Sequence, residues 1–194
     1  MITTTYTSRI DTLRHADLSV ARRLVLASVA ALVTALAAGA SVQIWVVPFT
    51  LQTLVVYGAG LLLGARTAFL GMMLYLILGH FFPVFSGEGT GLVGRPTAGY
   101  LVGFPLAAAV IGRLSSHGNG FLGAVISVQA GSIVLFLCGA IGLHLILGGE
   151  SWLESFYNGW FRFAPIDLVK ILLVSGTYAG LRSLLRENGD GDNA

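Results

Sequence analysis

Leu24 to Ala65 reads LVLASVAALVTALAAGASVQIWVVPFTLQTLVVYGAGLLLGA, without one acidic or basic residue. A membrane-spanning helix needs roughly 20 mostly apolar residues, and Pro48 divides this stretch because proline lacks an amide donor and clashes with the preceding turn. Three more runs free of acid and base follow, Thr67 to Gly87, Pro96 to Gly112 and Leu114 to Gly149. Hydrophobic residues make up 55% of the chain and charged ones 10%, against about 25% charged in an ordinary soluble domain. Too little polar surface remains to cover a water-soluble globule, so the chain reads as an integral membrane protein.

Dividing the runs at their turn signals predicts an all-α bundle of six transmembrane helices. These are Val20 to Ile44, Leu51 to Gly64, Thr67 to Phe82, Ala98 to Leu114, Phe121 to Leu147 and Pro165 to Leu185. Pro83 with the glycine-rich stretch Gly87-Glu88-Gly89-Thr90-Gly91 stops the third, and His117-Gly118-Asn119-Gly120 is the turn before the fifth. The expected organisation is an N-terminal tail at 1–19, one membrane domain at 20–185 and a polar, disordered tail at 186–194. Residues 1–19 mix Arg9, Asp11, Arg14 and Asp17 with no short apolar core of their own, so they are not read as a cleavable signal peptide.

Cations set the orientation, because short cytoplasmic loops are enriched in Lys and Arg. Under the six-helix reading Arg9, Arg14, Arg22, Arg23, Arg66, Arg113, Arg182 and Arg186 fall on one side, and only Arg95 and Arg162 on the other. Both termini are therefore expected in the cytoplasm of a cell-membrane protein. Glu88, Glu150 and Glu154 lie in the outer loops, so the net charge of +2 covers a basic inner face and a slightly acidic outer one. That distribution suits a lipid surface rather than nucleic acid. Cys138 is the single cysteine; it excludes an internal disulfide and a cysteine-based metal cluster, and is read as a packed side chain.

Three polar or small-residue features stand out within the apolar background. Ala27, Ala31, Ala35 and Gly39 recur every four residues along the first helix, beside Ala30, Thr34 and Ala38, and such a stripe lets helix backbones approach closely in lipid. Its partner is either this chain's own bundle or another membrane subunit. The loop from Pro83 to Tyr100 carries five glycines and Arg95, suited to a tight cap near a ligand in which Arg95 clamps a carboxylate, or to an outer loop whose arginine meets headgroups. Asp167 and Lys170, three apart on the last helix, share a face. Charges in hydrocarbon cost about 2.5 to 3.5 kcal/mol each on insertion scales. A pocket that needs both an acceptor and a cation accounts for them better than self-neutralisation does, since apolar replacements of a buried pair are often neutral or stabilising.

The order and spacing of several motifs resemble a known family. Val47-Pro48-Phe49-Thr50-Leu51-Gln52-Thr53-Leu54 comes first, then Leu74-Tyr75-Leu76 with Gly79, and Pro83-Val84-Phe85. Pro96-Thr97-Ala98-Gly99-Tyr100-Leu101-Val102-Gly103-Phe104 follows, and last Pro165-Ile166-Asp167-Leu168-Val169-Lys170. Together, over about Val20 to Leu185, they resemble BioY proteins, the biotin-binding S components of energy-coupling factor transporters. The chain departs from the usual pattern at Glu88, where the glycine-rich loop commonly has no acid, and at Ile166, where a glycine commonly precedes the aspartate. His80-Phe81-Phe82 also replaces the small residues usual before the Pro-Val-Phe step.

The resemblance implies a six-helix subunit that captures biotin from outside and works with a transmembrane coupling subunit and two ATPase subunits, the stripe of the first helix being the docking face. The chain has no Gly-x-x-x-x-Gly-Lys-Ser/Thr motif, so ATP would be hydrolysed by partners. Biotin has two ureido N–H donors, a carbonyl acceptor, an apolar body and a carboxylate. Asp167 can accept from the ureido N–H groups, Lys170 can donate to the carbonyl and Arg95 can hold the carboxylate; the reverse polarity, with Lys170 on the carboxylate, fits nearly as well. Phe49, Tyr100 and Phe163 are candidate apolar walls, and Thr50, Gln52, Thr97 and His80 are lesser candidates. Apart from the ligand itself, neither a cofactor nor a metal is expected. Rival readings are an S component for another vitamin, a proton-coupled carrier of a small carboxylate through Asp167, and an intramembrane enzyme pairing Asp167 with His80 or His144.

Overall fold

A computed structural model describes residues 14, 18–43, 46–87, 90–117, 120–148 and 151–191. The described chain is mostly helical. The first helix, α1 (Val20–Gly39), is capped by Ser19, whose hydroxyl accepts from the Arg22 N–H at 3.4 Å. It stops well short of Ile44, which itself lies outside the described residues. Ser41–Val42 (β1) pairs antiparallel with Phe49–Thr50 (β2), Ser41 opposite Thr50 and Val42 opposite Phe49. This small hairpin overturns the longer helix expected from apolarity alone; the stretch carries the β-branched Val42, Ile44, Val46, Val47 and Thr50 and the aromatic Trp45 and Phe49, residue types that suit a pleated strand.

The next helical segment, α2 (Gln52–Phe81), spans what the sequence divides into two helices, and at Gly64 its backbone takes φ 72°, ψ 172°. That conformation is open essentially to glycine alone. The side-chain amide of Gln52 donates to the Tyr75 hydroxyl, two groups whose residues a straight helix would hold about 35 Å apart at 1.5 Å rise per residue. The chain therefore folds back at Gly64 and lays its two arms side by side. Next come α3 (Ala98–Leu114) and α4 (Phe121–Leu147), the latter ending on Gly148 at φ 62°. Both match the expected spans. Where α3 begins and α4 nears its end they meet through glycine: a methyl group on Gly142 would sit 2.6 Å from the Gly99 Cα.

A short helix the sequence reading missed, α5 (Trp152–Phe156), begins with a capping box between Ser151 and Glu154. A π turn at Tyr157–Phe161 leads into α6 (Ala164–Gly191), which continues past Leu185, where a polar tail was expected to begin.

The small-residue stripe of α1 divides. Ala27 and Ala31 are fully buried, and a methyl on Gly71 would lie 3.0 Å from both the Ala27 carbonyl oxygen and the Ala30 Cβ. Ala27 thus packs against the second arm of α2 and Ala31 is enclosed within the chain's own bundle, which corrects the assignment of both to a docking face. Ala35 is half-buried and Gly39 exposed. Cys138 is half-buried on α4, with its Cβ beside Gly103.

The outer surface is apolar where a soluble protein's would be polar, and a few polar groups lie inside the apolar core. Leu36, Leu145 and Leu153 are more than 70% exposed, whereas Gln52, Ser132, Asp167 and Lys170 are buried. Val20–Gly39, Gln52–Phe81, Phe121–Leu147 and Trp152–Leu185 are each long and apolar enough to cross a bilayer, and Ala98–Leu114 is a shorter apolar helix. The molecule is a multi-pass membrane protein.

Candidate functional site

A cavity opens at the end of the bundle where β2, the start of α2, the start of α3 and the start of α6 converge. Val47, Pro48, Phe49 and Thr50 bound it on the hairpin side, and Gln52 and Thr53 from the first turn of α2. Thr97, Tyr100, Leu101 and Phe104 line it from α3 and its cap, Leu135 and Phe136 from α4, and Phe163, Asp167 and Lys170 from α6 and the residue before it. Ser86 joins the wall from the described part of the glycine-rich loop ahead of Arg95.

Asp167 and Lys170 reach the wall one turn apart, as their spacing predicts. Each is held by its own partners rather than by the other. The Tyr57 hydroxyl donates to Asp167 Oδ1 at 2.8 Å, and the Ser132 hydroxyl donates to Oδ2. Lys170, the chain's single lysine, donates from Nζ to the Thr50 carbonyl at 2.7 Å and to Thr53 Oγ1 at 2.8 Å. Its Nζ also stands 4.0 Å from the centroid of the Phe49 ring, within cation–π range. An ammonium has three N–H groups and each carboxylate oxygen about two lone-pair sites. Both groups therefore retain capacity on a cavity they line.

Aromatic rings supply the apolar wall. Phe136 meets Tyr100 edge-on at 6.1 Å and stacks on Trp160 and Phe163 at 6.3 and 6.2 Å between centroids. Tyr100 is fixed from behind by donating to the Gly159 carbonyl, which ties the π turn to α3. Gln52 leads a chain of hydrogen bonds, its amide to the Tyr75 hydroxyl and that hydroxyl to the Val84 carbonyl at 3.1 Å. Thr50 Oγ1 accepts from the Gln52 N–H at 3.3 Å. Both residues line the cavity while supporting backbone around it.

Of the expected site residues, Phe49, Thr50, Gln52, Thr97, Tyr100, Phe163, Asp167 and Lys170 come together on one cavity. Arg95 is placed beside it: its guanidinium donates to the Ser86 carbonyl at 3.3 Å and lies 5.7 Å from the Phe85 ring centroid, outside the lining. His80 is exposed, edge-on to Phe81 at 5.1 Å, and is not part of the wall. His144 bonds Ser155 at 3.0 Å and stacks on Trp152, so neither histidine lines the cavity with Asp167. Tyr57, Thr53, Ser132 and Phe136 were missed. Their spacing says only that Thr53 and Tyr57, like Ser132 and Phe136, are four apart and share a helix face, and not that this face turns to the cavity. The assembled surface offers an acceptor, a cation and an aromatic body, the needs of a small amphipathic solute.

The BioY family model matches residues 7–187. A probable biotin transporter BioY of Pyrococcus horikoshii is 36% identical over 140 residues, which is 71% of this chain and 82% of that protein. The biotin transporter BioY of Thermotoga maritima is 30% identical over 158 residues, 79% of this chain and 92% of the relative. Biotin transporter BioY2 of Lactococcus lactis subsp. cremoris is 30% identical over 165 residues, 78% and 85% of the two chains. Among solved structures, the S-component for biotin from an ECF-type ABC transporter superposes with a TM-score of 0.73 at 23% identity, covering 84% of this chain and 92% of that one. At that identity the likeness concerns the fold.

Proposed function

The chain belongs to the BioY family, and from that premise we propose that it captures biotin for uptake across the membrane and acts as a binding subunit without catalysis of its own. The observation that carries this reading is the pair of buried, separately anchored charges on an aromatic-walled cavity. Asp167 accepts from the ureido N–H groups. Lys170 donates to the ureido carbonyl or, with the ligand reversed, to the carboxylate. Phe49, Tyr100, Phe136 and Phe163 enclose the apolar rings and chain, while Arg95, one layer out, meets a carboxylate that reaches the cavity mouth. Thr50, Gln52 and Thr97 shape the wall. The two arms of α2 count as separate spans, giving six, and the arginine-rich end with both termini faces the cytoplasm. Energy comes from a coupling subunit and two ATPase subunits. Their docking surface excludes Ala27 and Ala31 and extends from Ala35 and Gly39 over the outward face of α1.

Purified, desalted protein is expected to retain labelled biotin without ATP and to release it to excess unlabelled biotin. Retention of thiamine or riboflavin in its place, or of no vitamin at all, would overturn the assignment.

A further inference from the structure

A second cavity, of about 270 Å³, lies at the opposite end of the bundle and takes no part in the site described above. Its wall is formed by Arg14, Leu18, Arg23 and the segment Leu63 to Thr67, closed by Gly112, Arg113 and Ser116. Among the described residues that wall carries four arginines and no carboxylate. Arg14 is anchored inward, donating from Nη1 to the Tyr178 hydroxyl at 2.6 Å and from Nη2 to Ser115 Oγ at 2.6 Å and the Gly112 carbonyl at 3.3 Å. The Nε atoms of Arg14 and Arg23 are both buried with no hydrogen-bond partner among the described residues. A buried donor left unsatisfied is costly, more so when charged.

The fold-back at Gly64 adds to this. Ala65, Arg66 and Thr67 open the second arm of α2, so the electropositive start of a helix borders the same space as the guanidinium groups. Arg66 and Arg113 are exposed and stand at its rim. A carboxylate has two oxygens to offer. A phosphate group offers more, spread tetrahedrally, and several converging arginine forks and backbone donors suit it better. Basic pockets between helices at the arginine-rich side of a membrane protein also face lipid headgroups.

We propose that the cavity lined by Arg14, Arg23, Arg66 and Arg113 binds a phosphate group, chemistry shared by an anionic phospholipid headgroup and free phosphate. The test uses the full chain in a zwitterionic detergent. It is titrated with short-chain phosphatidylglycerol, short-chain phosphatidylcholine and inorganic phosphate, and adducts are followed by native mass spectrometry. Saturable adducts are expected with phosphatidylglycerol, inorganic phosphate or both, each weakened about tenfold in Arg66→Ala and Arg113→Ala and unchanged in Arg22→Ala. Arg22 is exposed, lies next to Arg23 in the chain and is absent from the wall, so it controls for net charge. Binding of phosphatidylglycerol alone would assign the source to lipid, and binding of both to the phosphate itself. Parental unfolding temperatures in the variants would show that the bundle is intact, and should one rim variant not fold, the other decides. The proposal fails if neither phosphate compound binds, if the rim variants bind as the parent does, if Arg22→Ala weakens binding equally, or if phosphatidylcholine binds as well. Arg66-dependent binding of a short polyglutamate peptide with no phosphate binding would give the cavity to an acidic protein segment and also overturn the proposal.

Discussion

Both oxygens of Asp167 already accept a hydroxyl, from Tyr57 on one side and Ser132 on the other, and this decides what a substitution there does. Asparagine is nearly isosteric, but its NH2 must face one of two donors and it removes the charge offered to the ligand. Asp167→Asn and Lys170→Ala are each expected to weaken biotin binding about thirtyfold, corresponding to about 2 kcal/mol for a desolvated, charge-assisted hydrogen bond. Tyr57→Phe removes only a supporting donor and should cost about 1 kcal/mol, about fivefold. Calorimetric titration of the three variants gives the order; parental affinity in all three would make these groups structural. Asp167 and Lys170 were legible because a shared helix face is a local property. The hydroxyls that hold the aspartate were not, since a lone Ser or Thr in an apolar helix commonly satisfies its own preceding turn, as Thr34 does with Ala30 at 2.7 Å and Ser127 with Gly123 at 2.7 Å. Which hydroxyl instead crosses to another helix is fixed by tertiary packing. That Arg95 lies beside the cavity and not in its lining was illegible for a similar reason: its position follows from a loop whose Gly87, Gly91 and Gly94 all take positive φ, and composition does not say which way such a loop turns.

Among the elements, the reversal at Gly64 carries the most weight. Alanine there is expected to destabilise the protein by about 1 to 3 kcal/mol, the usual cost of holding a side chain in a sparsely populated backbone region. Gly58 is the control, a helical glycine whose added methyl meets nothing within 4 Å, so Gly58→Ala should be neutral or slightly stabilising. Thermal unfolding in detergent compares the two, and a Gly64→Ala protein as stable as its parent would contradict the fold-back. Helices α3 and α4 were legible to the residue because turn signals bound them. The hairpin of β1 and β2 was not, since each strand is only two residues long and no acid or base interrupts the run it shares with α1. The stripe of α1 signals close approach, yet small residues look alike whether they meet the same chain or another, and the close packing of Ala27 and Ala30 depends on where Gly71 lies.

For the whole molecule, the chemistry separates by end. The charged pair and its aromatic wall occupy one, and Arg14, Arg23, Arg66 and Arg113 the other. Sidedness can be tested in a Cys138→Ala background with single cysteines at Val93, fully exposed in the loop that leads into α3, and Ser183, exposed near the end of α6. A membrane-impermeant maleimide applied to intact cells should label Val93→Cys at once and Ser183→Cys only after permeabilisation. The opposite result would invert the orientation.

Much of the site is fastened to main chain rather than to side chains. Lys170 is tethered to the carbonyl of Thr50 and Tyr75 to that of Val84. Peptide carbonyls survive every substitution, so for these two contacts positions 50 and 84 are free to drift over evolutionary time while the contacts persist. At Gly159, whose carbonyl holds Tyr100, drift is barred by space instead, because an added methyl would come within 2.9 Å of the tyrosine hydroxyl. A saturation library scored for uptake is therefore expected to be intolerant at 159 and 170 and permissive at 84, leaving one anchor of the pocket without any trace in the alphabet of allowed residues.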